Sequence, residues 1–169
     1  MKKRTVVTTG LGKVCQTALL LENIRSAENV GSIFRTADAA GISHIYMSGY
    51  TPTPLDRFQR PNAKIATRAL GAEKNIPWTQ VARIGSLISK LKKAGWQVIA
   101  IEQSPKAVDY KKVKLGQKTL FVVGNEVEGV LSKTLALSDT IAEIPMLGKK
   151  ESLNVSVATG VALFRMLGL

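Results

Sequence analysis

Three short stretches of this chain hold polar residues where they could do chemistry. NVGSIFRTADAAG, Asn29 to Gly41, reads as a helix of small and apolar residues interrupted by one fixed positive charge, Arg35. Asn23 and Arg25 lead into it. GNEVEG, Gly124 to Gly129, directly follows the apolar run FVV. Its glycines let backbone approach a ligand closely and offer N–H and C=O groups, which Asn125 shares, while Glu126 adds a carboxylate. A plain turn would explain the glycines but not the carboxylate. PMLGKKESLN, Pro145 to Asn154, joins the irregular apolar exit Ile144-Pro145-Met146 to Ser152 and Asn154. The exit could give a purine backbone contacts, and the two polar residues stand where a helix is ordinarily capped.

The elements around these stretches alternate. TALLLEN reads as a strand and ENVGSIFRTADAAG as a helix, with Asn29 the predicted N-cap and Gly41 the terminating glycine. HIYMSG is a strand. VARIGSLISKLKKAG is an amphipathic helix with Val81, Ile84, Leu87, Ile88 and Leu91 at helical spacing. WQVIAIE and TLFVVGNE are strands, SKTLALS a short helix, DTIAEIPM the final strand and SLNVSVATGVALFRMLGL a closing helix, apolar nearly all round. That closing helix is predicted to be buried on several sides, by deep insertion or at a subunit interface. Strands alternating with helices predict an α/β fold, a parallel sheet flanked by helices. Ligands in such sheets bind beyond the carboxyl ends of the strands, where all three polar stretches fall.

The 169 residues fit one domain, residues 1–169, with 1–13 a loose basic arm. GLGK in that arm lacks the spacing of a phosphate loop. Lys and Arg number 24 against 12 Asp and Glu, a formal charge of +12 that favours polyanionic partners such as RNA, DNA or an anionic membrane surface. Aromatic residues are only 5%, so base stacking is not expected to dominate nucleic-acid binding. One cysteine, Cys15, excludes a disulfide framework and a cysteine metal site and reads as a small buried hydrophobe; the lone His44 reads as structural, and no metal is expected. The longest apolar window, VSVATGVALF, is too short to span a bilayer, and no signal peptide is evident, so the chain reads as cytoplasmic. No hydrolase triad, zinc site, GxGxxG fingerprint or helix-turn-helix pattern is present. The proline-rich segment GYTPTPLDRFQRPNAKIATRALGAEKNIP breaks the alternation and carries Arg57, Arg60, Lys64 and Arg68. It is either a solvated crossover or a flap that contacts RNA.

In order along the chain, NVGSIFRTADAAG, VVGNEVEG and IPMLGKKESLNVSVATGVAL resemble the three motifs of the SpoU/TrmH branch of the SPOUT RNA methyltransferases. RALGAEKNIPW is similar to the segment this branch carries between its first two motifs, and the resemblance extends from about Ala18 to the C-terminus. It implies a parallel sheet whose C-terminal part is threaded into a deep trefoil knot, a homodimer built on the knot and last helix, and S-adenosylmethionine as cofactor. It also implies methylation of a ribose 2′-hydroxyl in tRNA or rRNA. Many relatives carry an extra N-terminal RNA-binding domain for which 169 residues leave no room, so RNA is expected to be gripped by the catalytic domain, through Arg25, Arg57, Arg60, Lys64 and Arg68.

Carried over by residue, the resemblance assigns the cofactor to Gly124, Asn125, Glu126, Gly129, Ile144, Pro145, Met146, Ser152 and Leu153. It assigns the reacting end to Asn29, Arg35, Glu126, Ser152 and Asn154. Arg35, six residues beyond Asn29, is expected to face the same cleft. A guanidinium stays protonated at neutral pH, and stripping that proton costs about 9 kcal/mol. Arg35 is therefore expected to orient the hydroxyl and stabilise the developing alkoxide, with Glu126 or an RNA phosphate helping to take the proton. The alternative is an RNA-binding or assembly factor that keeps the fold without turnover.

Overall fold

In a computed structural model that describes residues 7–8 and 14–169, seven parallel strands form one sheet flanked by helices. β1 (Val7–Thr8) pairs antiparallel with the start of β2 (Val14–Glu22), so this part of the expected loose arm is an edge strand. The rest of 1–13 lies outside the described residues. Then come α1 (Ala27–Ala39), β3 (His44–Ser48), α2 (Ala63–Ala69), α3 (Ala72–Asn75), β4 (Trp78–Val81), α4 (Ile84–Lys93) and β5 (Gln97–Ile101). β6 (Val108–Asp109), a 3-10 turn at Tyr110–Lys112, β7 (Lys118–Val123), α5 (Ser132–Leu137), β8 (Thr140–Glu143) and α6 (Val155–Leu167) complete the chain. The strand order is β4-β3-β2-β7-β5-β8-β6.

The central strands β2, β7 and β5 are apolar on both faces because helices cover both. Leu19, Leu21, Ile99, Ile101, Phe121 and Val123 point to the core under α1 and α6. Their alternates Ala18, Leu20, Val98, Ala100, Leu120 and Val122 point to the core under α4. Cys15 is buried in β2, as expected of a small hydrophobe.

Several elements depart from the predicted pattern. The N-cap of α1 is Ser26, whose hydroxyl accepts the Asn29 N–H at 3.1 Å; Asn29 sits in the first turn with its side chain left for other work. Val81 lies in edge strand β4 rather than on the amphipathic helix, which starts at Ile84. The proline-rich crossover contains helices α2 and α3, so residues 49–62 are its one long loop.

Helix α1 packs against α2 and α6. Gly31 permits the first contact: a Cβ there would lie 2.6 Å from the Ile65 carbonyl oxygen and 2.8 Å from Arg68 Cβ. That close approach offsets the cost of about 1 kcal/mol that a mid-helix glycine carries relative to alanine. Helix α6, capped by the Asn154 side chain, buries Thr159, Ala162, Leu163, Met166 and Leu167 but leaves Val157 50% exposed, with Val161 and Phe164 beside it. The expectation of burial on several sides is met on one side only within the single chain. Among the described residues no helix is long and apolar enough to cross a membrane.

Candidate functional site

β7 lies between β2 and β5, so strands from both halves of the chain end side by side, and the segments leaving their carboxyl ends build one site. Glu102 and Gln103 come directly after β5, the Gly124–Gly129 turn after β7, and Ile144 and Met146 after β8. With Ser152 and Leu153 they line a cavity of about 320 Å³.

The β7 turn is drawn tight by its own backbone. Asn125 and Gly129 exchange N–H to C=O bonds, each 3.0 Å, and Asn125 Oδ1 accepts the N–H groups of Val127 at 2.7 Å and Glu128 at 2.9 Å. A Cβ on Gly124 would overlap the carbonyl of Gly129, and one on Gly129, at φ +69°, would overlap the Glu102 carboxylate. Both glycines are therefore required for closeness. Glu102 holds the turn from below, accepting the Val130 N–H at 2.7 Å and the Gln103 N–H at 2.8 Å. Asn125 Nδ2 donates to the Asn23 carbonyl at 2.9 Å and to the Tyr50 hydroxyl at 2.7 Å, joining the turn to the ends of β2 and β3.

Beside the cavity the three polar stretches meet in one chain of hydrogen bonds. Asn154 Nδ2 donates to Asn29 Oδ1 at 3.2 Å, and Asn29 Nδ2 donates to Glu126 Oε1 at 2.9 Å. Glu126 also accepts the backbone N–H groups of Arg25 at 2.9 Å and Ser26 at 3.1 Å. Burial alone would raise the Glu126 carboxyl, but the donors from Arg25, Asn29 and Ser26 outweigh it and hold it below its ordinary 4.5. A carboxylate so engaged is a weak proton acceptor, and its geometry is that of a clamp on the start of α1.

With a folded pKa below the unfolded one, Glu126 contributes stability that is complete above about 4.5 and is lost as pH falls through the folded value. Glu126→Gln should therefore flatten the acid limb of a stability profile below about pH 4.5 and lower stability at pH 7. Acid unfolding of wild type and variant that superimpose after a constant offset would refute this.

Of the residues assigned to the cofactor, Gly124, Asn125, Glu126, Gly129, Ile144, Met146, Ser152 and Leu153 line the cavity, while Pro145 is exposed and does not. Asn29, Glu126 and Asn154 are hydrogen-bonded together. Arg35 is apart from them. Six residues place it about 9 Å along α1 and about 120° around from Asn29, so the two do not share a face of the helix. Arg35 is exposed, does not line the cavity, and its side chain makes no hydrogen bond or ion pair among the described residues. The Arg25 side chain is exposed while its N–H serves Glu126. On the 49–62 loop and α2, Arg57, Arg60, Lys64 and Arg68 are all exposed; Arg60 pairs with Asp56 at 2.7 Å and Lys64 with Glu28 at 3.2 Å.

Sequence reasoning missed Glu102, Gln103, Ser26 and Tyr50. Glu102 had the same signal as Glu126, a carboxylate at the end of an apolar strand. The others act through contacts up to 100 residues distant, invisible along the chain. With Glu126, Glu128 and Glu151 also in the wall, Glu102 makes the cavity acidic in a protein of net charge +12. Among the described residues no group of three or more His, Cys, Asp or Glu converges as a metal site.

A model of the family described as SpoU rRNA Methylase matches residues 16–164. The tRNA (guanosine(18)-2′-O)-methyltransferase of Escherichia coli K12 is 33% identical over 147 residues, 85% of this chain and 59% of that protein. The 23S rRNA (guanosine-2′-O-)-methyltransferase RlmB of Pseudomonas aeruginosa is 34% identical over 88% of this chain and 57% of its own length. Among solved structures, the AdoMet-bound rRNA methyltransferase of Sinorhizobium meliloti superposes with a TM-score of 0.80 at 29% identity, covering 98% of this chain and 59% of that one. The chain thus spans just under three fifths of the length of these relatives.

Proposed function

The chain belongs to the SpoU rRNA methylase family, and from that premise we propose that it methylates a ribose 2′-hydroxyl of tRNA or rRNA with S-adenosylmethionine as methyl donor. The observation that carries this reading is an acidic cavity within a strongly basic protein. The cavity suits a cationic small molecule, and the surface around it suits a polyanion.

The residues present fit the cofactor. The cavity has the size of small-molecule sites, and the glycine cradle at Gly124 and Gly129 opens backbone N–H and C=O groups to a ligand that side chains would block. Gly124 and Gly129, with Ile144, Met146 and Leu153, would hold it chiefly through backbone and apolar contact, and the glutamates would favour its positive charge. S-adenosylmethionine supplies an electrophilic methyl group on a sulfonium. Everything else is positioning. Glu126 fixes the start of α1 and the Asn29 carboxamide, Asn29 fixes Asn154, and this chain of bonds aligns the mouth of the cavity where a hydroxyl would approach. Ser152 lines the same mouth, and Arg35, about 9 Å along α1 from Asn29 and on another of its faces, is assigned to hold the RNA strand whose ribose reaches that mouth. Glu126 is a positioning residue in this scheme, so the proton goes to an RNA phosphate or to water. No step requires a metal.

We assign the described residues to one methyltransferase domain and RNA contact to that domain's own basic surface. The stretch 144–154 is read as the threaded part of a deep trefoil knot. Two features support this: β7 returns late to the middle of the sheet, and the chain leaves β8 to pack α6 on α1. A homodimer is supported by the exposed apolar stripe Leu153, Val157, Val161 and Phe164. A cytoplasmic location goes with the RNA substrate.

Incubation with isotopically labelled S-adenosylmethionine and total tRNA or rRNA, with subsequent mapping of 2′-O-methylated nucleotides, tests the reading. Label in a ribose 2′-O-methyl group is the expected result. Tight RNA binding with no incorporation into any RNA would instead identify a non-catalytic RNA-binding factor.

A further inference from the structure

The tip of the 49–62 loop has an organisation that phosphate binding alone does not explain. Phe58 is 61% exposed, yet it is not a loose side chain. The Arg57 guanidinium lies 4.6 Å from its ring centre and the Arg60 guanidinium 5.0 Å. Asp56 ties the tip together. One carboxylate oxygen accepts the N–H groups of Phe58 at 2.8 Å and Arg60 at 3.0 Å, while the other accepts Arg60 Nε at 2.8 Å. The backbone closes around it, with the Asp56 N–H donating to the Arg60 carbonyl at 3.0 Å and Gln59 in the left-handed region at φ +62°. The root is equally fixed: Thr51 Oγ accepts the Ile24 N–H at 3.0 Å, and the Tyr50 hydroxyl accepts from Asn125.

We propose that Phe58, with the guanidiniums of Arg57 and Arg60 laid against it, is a stacking platform for an unpaired base of the RNA and sets the register of that RNA on the active site. The proposal rests on the reading of this protein as an RNA-acting enzyme. Unpaired bases stack on aromatic rings and guanidinium planes, whereas bases inside a duplex are not available to do so. Arg60 is already ion-paired with Asp56, so it offers a held plane more than a free charge. The tight turn has pre-ordered the ring, so little entropy is lost on binding. The rigid root carries the position of the stacked base to Asn125 and hence to the cavity wall. A lone exposed phenylalanine needs no explanation in general. One with two guanidiniums held against its ring, on a turn built by a buttressing aspartate, does.

The test compares wild type, Phe58→Leu and Phe58→Trp in binding an unstructured single-stranded oligoribonucleotide and a blunt RNA duplex, each across a salt series. Leucine keeps apolar bulk and removes the π face. It should weaken single-strand binding by about five- to a hundredfold, leave duplex binding within about twofold, and leave the salt slope unchanged. Tryptophan should restore single-strand affinity. Equal losses on strand and duplex, no loss, or an altered salt slope in Phe58→Leu would overturn the platform. Methyl incorporation is measured in parallel: a wild type that binds strands through Phe58 but methylates no RNA would refute the enzyme reading and leave the platform standing.

Discussion

Gly124→Ala is expected to lower affinity for S-adenosylmethionine by about a hundredfold, near the upper end of what local overpacking costs. The added methyl would overlap the carbonyl of Gly129 and the Val130 nitrogen, which are backbone atoms and cannot swing aside as a side chain would. Relief requires the Asn125–Gly129 bridge to open. Opening it moves Glu126 away from the N–H groups of Arg25 and Ser26 and from the Asn29 carboxamide. Cofactor cradle and reacting end should therefore fail together, while the core under α4 stays packed. Gly148→Ala is the control, because a Cβ there meets nothing within 4 Å. Calorimetric titration of the three proteins with S-adenosylmethionine reads the effect. Unchanged affinity in Gly124→Ala would remove the β7 turn from the cofactor site.

Arg35→Lys should slow methyl transfer by at least about a hundredfold in single turnover with saturating RNA, the scale expected when a reacting group is mispositioned. Lysine keeps the charge but loses the planar fork that can hold a phosphate and a ribose oxygen at once. The position makes the experiment clean. The Arg35 side chain is exposed and makes no ion pair or hydrogen bond among the described residues, and both side chains are good helix formers, so stability should be unaffected. Cofactor affinity should hold too, because Arg35 does not line the cavity. Saturating RNA removes any loss of binding from the rate. A rate within about threefold of wild type would mean that Arg35 merely attracts RNA or faces solvent.

The sequence by itself determined which residues could be strands and which helices, and that the sheet had to be parallel. TLFVV and TALLL are apolar at nearly every position, which only a strand covered on both faces tolerates, and the intervening amphipathic stretches supply the covers. It also showed where polar residues would gather, because those immediately after such strands lie at the mouth of the sheet, and several of them line the cavity there. Weak or short elements were not legible. β4 and β6, at the two ends of the sheet order, have four and two residues, too few for a periodicity, and α2 and α3 hide in a stretch whose prolines announce a loop.

Only the tertiary structure decided which partners each polar residue meets. Asn29 reads as a helix cap in the sequence, but Ser26 takes that place three residues earlier and frees the Asn29 carboxamide to bridge Asn154 and Glu126. Glu126 has the composition of a base, yet three donors from a segment about a hundred residues away make it a clamp. Arg35 is the exception: six residues of helix already set it about 120° around from Asn29, so its separation from that hydrogen-bonded chain could be read from spacing. Periodicity is a property of neighbours along the chain and can be read from it. A side chain's protonation and role depend on which donors are brought to it from far away, and sheet order alone brings them.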